Sequence, residues 1–90
     1  MNILTTCPQI SENTASRIID DEAVVVTPQE GLVRMFNDVG SRVWQMTDGQ
    51  HSINEISEAI SQEFDVPPDE AQRDVVEFLE KLQEKGMVTL

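Results

Sequence analysis

The strongest constraint on this chain is a change of hydrophobic period at residue 37. Before it, short β-branched and apolar runs alternate with turn residues. After it, apolar side chains recur every three to four positions. A chain of 90 residues has room for one domain, so strands and helices must share one small core. Three strand candidates precede the change, at residues 16–20, 23–27 and 32–36. The second holds Val24, Val25 and Val26 in a row, and β-branched runs favour a pleated backbone. Asp21 and Glu22 make a tight turn after the first. Residues 28–31 turn after the second, with Pro28 setting φ and Gly31 allowing positive φ. Connections this short force antiparallel neighbours, so a three-stranded meander is expected.

The second part predicts three helices. Asn37 can cap a helix over residues 38–47, with Val39, Val43 and Met46 on one face and Trp44 at its flank. Gly40 inside it costs about 1 kcal/mol against Ala, which a close approach by another element would explain. Ser52 and Glu55 stand at capping-box spacing before the stripe Ile53, Ile56 and Ile60. Pro68 suits the first turn of a third helix to Lys85, whose positive end Asp69 and Glu70 complement. Ala71, Val75, Phe78 and Leu82 form its core stripe, widened by Val76 and Leu79, with Phe78 as an anchor. Gly86 reads as a left-handed stop, letting Met87 fold back on Leu82. The expected fold class is therefore α+β: a three-stranded antiparallel sheet followed by three helices, winged-helix-like. Residues 1–14 read as a flexible N-terminal arm and residues 15–90 as a single domain.

Charge and cysteine count narrow the function. With 17 acidic against 6 basic side chains, the net charge is −11. That opposes binding to nucleic-acid phosphates or to an anionic membrane surface. Cys7 is the one cysteine and His51 the one histidine, too few for a structural zinc site. No run approaches the ~18 apolar residues of a membrane span, and residues 1–14 lack the pattern of a secretion signal. A cytoplasmic protein without metal or other cofactor is expected. Phosphate-loop, GxSxG, HExxH and CxxC motifs are absent, so a catalytic role is not expected. The acidic pairs at Asp20–Asp21 and Asp69–Glu70 read as solvation and capping, His51 as an exposed loop side chain, and Cys7 as an incidental thiol. Trp44 reads as a core-edge residue. The last two helices invite a helix-turn-helix reading, but a recognition helix opening on Asp69 and Glu70 would repel phosphates.

Leu32, Val33, Arg34, Met35 and Phe36 are apolar on both pleat faces apart from Arg34. Either both faces are buried, or the strand is an open edge that can accept an added strand through main-chain hydrogen bonds. Composition leaves the two readings even.

The ordered series from Asp20 to Val26, Gly31, Phe36 to Trp44, Asp48–Gly49, Ile53 to Ile60, Phe64 to Val66 and Asp74 to Leu79 resembles the PqqD family over about residues 8–88. That family comprises pyrroloquinoline quinone biosynthesis protein D and stand-alone recognition elements for ribosomally made, post-translationally modified peptides. The resemblance implies the same three strands and three helices. It also implies a non-catalytic peptide chaperone that binds the leader of a precursor peptide by strand addition. Such a chaperone presents the leader to a modifying enzyme, often a radical S-adenosylmethionine enzyme. Carried onto this sequence, the groove is Leu32, Val33, Arg34, Met35 and Phe36 with the outer flank of the third helix: Gln72, Arg73, Val76 and Leu79. Arg34 and Arg73 either pair locally with Glu30 or Glu77 or meet leader carboxylates. The chain departs from the family pattern at Phe36, where Leu is common, and at Pro67–Pro68, which bears on which leader fits. An open edge would also allow a weak homodimer beside the monomer. An acidic winged-helix regulator of protein or DNA is the alternative.

Overall fold

The computed structural model describes residues 3–12, 14–19, 22–27 and 32–90, the side chains of residues 27 and 32–35 excepted. Of the expected turn at Asp21–Glu22, Glu22 instead opens the second strand of the meander and pairs with Ile19, while Asp21 and the expected turn at residues 28–31 lie outside the described residues. Strand β1 spans Gln9–Ile10, β2 Ala15–Ile19, β3 Glu22–Thr27 and β4 Leu32–Met35. Helix α1 spans Asp38–Gln45, α2 Ile53–Glu63 and α3 Pro68–Glu84, and β5 spans Val88–Thr89.

The meander is present as β2–β3–β4, antiparallel throughout, with Arg17 opposite Val24, Val24 opposite Met35 and Val26 opposite Val33. The class is α+β, but the strand count exceeds the expected three. Gln9 and Ile10 pair antiparallel with Thr89 and Val88 in a second, two-stranded sheet. Residues 9 and 10, within the segment expected as a flexible arm over residues 1–14, are held here in a clasp. The Ile53 amide donates to the Thr6 carbonyl and the Gly49 amide to the Pro8 carbonyl, each at 2.9 Å. Pro8 is buried, and Leu4 and Ile10 pack against the core. Closing a pair 80 residues apart satisfies backbone groups that both chain ends would otherwise leave to water.

The helix boundaries have local causes. Asn37 accepts from the Gly40 amide at 2.8 Å and starts α1. Ser52 and Glu55 form the reciprocal capping box that starts α2, at 3.1 and 3.0 Å. Pro68 opens α3, with Asp69 and Glu70 in its first turn. At its other end Gly86 takes φ +73°. The Gly86 amide donates to the Gln83 carbonyl and the Met87 amide to the Leu82 carbonyl, which closes a Schellman motif and buries Met87.

The core lies between one face of the meander and the three helices. Val25 and Ala23 supply the sheet side, Val43 and Trp44 come from α1, and Ile53, Ile56 and Ile60 from α2. Ser41 ties sheet to helix. Its hydroxyl accepts from the buried Ala23 amide at 2.8 Å and donates to the part-buried Phe36 carbonyl at 3.2 Å. Two side chains depart from expectation. Trp44 is only 2% exposed and belongs to the core, not to its edge. On α3 the buried stripe is Ala71, Val75, Leu79 and Leu82, while Phe78 is half-buried. The core anchor is thus Leu79, fully buried, in place of Phe78. The helix is turned by a fraction of a residue from the expected setting. Both Val75–Val76 and Phe78–Leu79 are adjacent apolar pairs, and the packing of α2 selects the member that faces inward.

Candidate functional site

Strand β4 is an outer strand of the meander, with β3 as its hydrogen-bonded neighbour among the described residues. Its other side therefore offers backbone donors and acceptors to an added strand. Val33 and Met35 occupy the register positions opposite Val26 and Val24, which are half-buried. Directly after β4 the Phe36 amide still donates to the Ala23 carbonyl, at 3.1 Å. This holds Phe36 at the point where the sheet passes into α1.

Phe36 is the middle ring of an aromatic row. It lies 5.6 Å from Trp44 at a tilted 55° and 5.2 Å from Phe78 in an edge-on arrangement at 80°. Such geometries add about 0.5–1.5 kcal/mol per pair beyond burial. The row runs from the core outward: Trp44 is buried, while Phe36 and Phe78 are half-buried. The indole Nε1 of Trp44 has no hydrogen-bond partner among the described residues. Gly40 permits the closeness of the row. A Cβ there would stand 3.1 Å from Asn37 Oδ1, 3.2 Å from the Phe36 Cβ and 3.4 Å from the Phe78 ring. The expected packing reason for a helical glycine is therefore the joint approach of a cap and two rings.

Around Phe36 and Phe78 lies an open depression of about 450 Å³. Val39, Val43 and Val75 supply the rest of its apolar wall, and Asp74 stands at its rim. Asp74 is exposed and makes no ion pair among the described residues. It is the one charged side chain among the described residues lining the depression. On the other flank of α3, facing α2, a second depression of about 500 Å³ is polar, lined by Asn54, Ser57, Glu58, Ser61, Gln62 and Gln72 among others.

The residues implied by the resemblance divide between these flanks. Leu32, Val33, Arg34 and Met35 form the β4 edge, and Phe36 lines the apolar depression. The α3 members lie elsewhere. Gln72 lines the polar depression, and Val76, one turn on, shares that flank. Leu79 is buried in the core and Arg73 is exposed with no ion pair to Glu77. At about 100° per residue, Val76 and Phe78 stand about 160° apart around the helix, as do Gln72 and Asp74. One groove cannot take all four. The α3 side chains that share the depression with Phe36 are Asp74, Val75 and Phe78. The sequence signal for them is the i, i+4 spacing of Asp74 and Phe78, which leaves a half-buried ring beside an exposed acid.

Elsewhere the polar side chains serve structure. Arg42 bridges α1 to Glu63 of α2 at 3.0 Å. His51 Nδ1 contacts Asp48 Oδ1 at 3.0 Å. The Gln50 amide, and then His51, hold the Asp48 carboxyl below its ordinary range. Glu55 is lowered by the Ser52 amide it caps. Cys7 is exposed. Among the described residues no three His, Cys, Asp or Glu side chains gather at a metal-binding distance. No helix among them is long and apolar enough to cross a membrane.

A short meander whose outer strand β4 leads, through an aromatic row, to an apolar depression on a helix defines a small α+β recognition domain. The family model for coenzyme PQQ synthesis protein D (PqqD) matches residues 22–88, and the chain belongs to that family. No curated protein matches it by sequence. Among solved structures it is similar to TbiB1 in complex with the TbiA(beta) leader peptide, at 34% identity over 89% of this chain and 93% of that one, TM-score 0.81. It shares the fold of lasso peptide synthetase B1 complexed with its leader peptide, at 20% identity over 93% and 99% of the two chains, TM-score 0.82. It also shares the fold of the PqqD truncation of Methylobacterium extorquens PqqCD, a stand-alone recognition element for ribosomally synthesized, modified peptides. That likeness is 19% identity over 92% and 88%, TM-score 0.72.

Proposed function

We propose that this chain is a non-catalytic leader-peptide recognition domain. The leader of a ribosomally made precursor pairs along the outer side of β4, and its apolar side chains enter the depression between Phe36 and Phe78. The bound leader is thereby presented to a modifying enzyme, for which the family resemblance suggests a radical S-adenosylmethionine enzyme. The observation that carries this reading is that the outer strand β4 runs directly into Phe36, which lines that depression, in a chain 34% identical to a protein solved with its leader peptide. Energetics assign the two parts different work. Exchanging water for peptide at the strand edge gains about 0.5–1.5 kcal/mol per hydrogen bond. Apolar burial at roughly 25 cal/mol per Å² then supplies most of the affinity. Of the sequence-implied contacts at Leu32, Val33, Arg34, Met35, Phe36, Gln72, Arg73, Val76 and Leu79, this reading keeps residues 32–36, with Asp74 and Phe78 replacing the α3 set.

The test is calorimetric titration of the full chain with the leader of its precursor, set against the same peptide N-methylated one amide at a time. Strand addition uses every second amide, so loss of binding must alternate along the paired segment. Equal tolerance of N-methylation at all positions contradicts it.

A further inference from the structure

We infer that Asp74 makes this a recognition site for cationic leaders: the segment it accepts carries a lysine or arginine next to the bulky apolar residue that fills the depression. The inference rests on the reading that β4 and the Phe36–Phe78 depression take a peptide, and goes on to assign the charge of that peptide. Two observations carry it. Asp74 is the one charged side chain among the described residues lining the depression, and among those residues neither a hydrogen bond nor an ion pair occupies it. It also lies four residues before Phe78, so carboxylate and ring are neighbours on one face of α3.

A side chain seated on the rings thus brings its sequence neighbours within reach of the acid. The alternative sign is disfavoured by placement. Of the two cations expected to meet leader carboxylates, Arg73 is turned about 100° away from Asp74 around the helix, and Arg34 stands on β4 opposite Val25, not on the helix face that Asp74 shares with Phe78. A leader acid would meet Asp74 at the rim, inside the field of a molecule of net charge −11. The rim is wet, so the pair contributes modestly to affinity. Its larger effects are on encounter rate and on the choice among leaders of similar apolar content.

The experiment is selection from a phage-displayed library of random dodecapeptides on three full-length proteins: wild type, Asp74→Lys and Glu58→Lys. Glu58→Lys makes the same change of net charge on the opposite flank of α3. Wild type is expected to enrich peptides with Lys or Arg at a fixed spacing from a bulky apolar residue. Asp74→Lys should move that position to Asp or Glu, while Glu58→Lys leaves it unchanged. For one enriched peptide, Asp74→Asn should weaken binding about two- to fivefold at low salt, with the difference shrinking as salt rises. Unchanged selection by Asp74→Lys overturns the inference, as does an equal shift by Glu58→Lys. If wild type enriches nothing, or if Phe78→Ala binds its peptides undiminished, the parent reading of the groove falls and this inference with it.

Discussion

The two flanks of α3 are built from one helical segment, yet they do different things. Toward β4 and α1 the helix presents Val75 and Phe78 to an aromatic row, with a lone carboxylate at the rim. Toward α2 it presents Gln72 to a depression of serine, asparagine and glutamate side chains. Two cavities of similar size, about 450 and 500 Å³, therefore differ in chemistry. Shape does not separate them; the cost of leaving apolar surface wet does. The half-buried rings of Phe36 and Phe78 gain by being covered, whereas covering polar side chains costs free energy unless each finds a hydrogen-bond partner.

The largest expected effect separates core from groove. Leu79 and Phe78 are adjacent in sequence, but only Leu79 is fully buried. Leu79→Ala should destabilise the domain by about 2–5 kcal/mol, a large share of the stability of a domain this small. Phe78→Ala should cost less stability, because its ring is already partly exposed to water, and should lose most of the peptide affinity. Urea denaturation with parallel calorimetry reads both. Equal destabilisation by the two would mean that the ring is core and the comparison of flanks is wrong.

The element order and most helix boundaries were legible in the sequence because their causes are local. The capping box at Ser52 and Glu55 and the stop at Gly86 need only their neighbours. The setting of α3 was not legible. Val75–Val76 and Phe78–Leu79 satisfy the apolar stripe in either of two rotations, and α2 decides between them. The implied peptide-contact residues on α3 followed the other rotation, which is why Gln72 and Val76 lie on the polar flank and Leu79 in the core. Pairing of residues 9–10 with residues 88–89 was equally hidden, because a two-residue strand carries no periodicity of its own. Trp44 read as an edge residue since its core neighbours come from the other helices and the sheet.

A smaller effect probes the polar flank. Gln72→Ala should leave peptide affinity and stability within about 0.5 kcal/mol of wild type. An affinity loss like that of Phe78→Ala would place the peptide against α2.

The smallest effect concerns acid. The carboxyls of Glu55 and Asp48 are held below their ordinary values of 4.5 and 3.8, chiefly by backbone amides. A lowered folded pKa means a contribution fully present above the ordinary value and lost as pH falls through the folded one. The start of α2 should therefore loosen from about pH 4.5 downward. Glu55→Gln, which keeps a capping acceptor, should flatten that part of the melting profile between pH 5 and pH 3. An unaltered profile would mean that the capping carboxylate is not coupled to folding.

The most direct measurement is a backbone-amide NMR titration of the full chain with its leader peptide. The account predicts shifts over residues 32–36, with those on α3 centred at Asp74 and Phe78, while Asn54, Ser57, Gln62 and Gln72 stay in place. Shifts gathered at Asn54, Ser57, Gln62 and Gln72, with residues 32–36 unmoved, would contradict it.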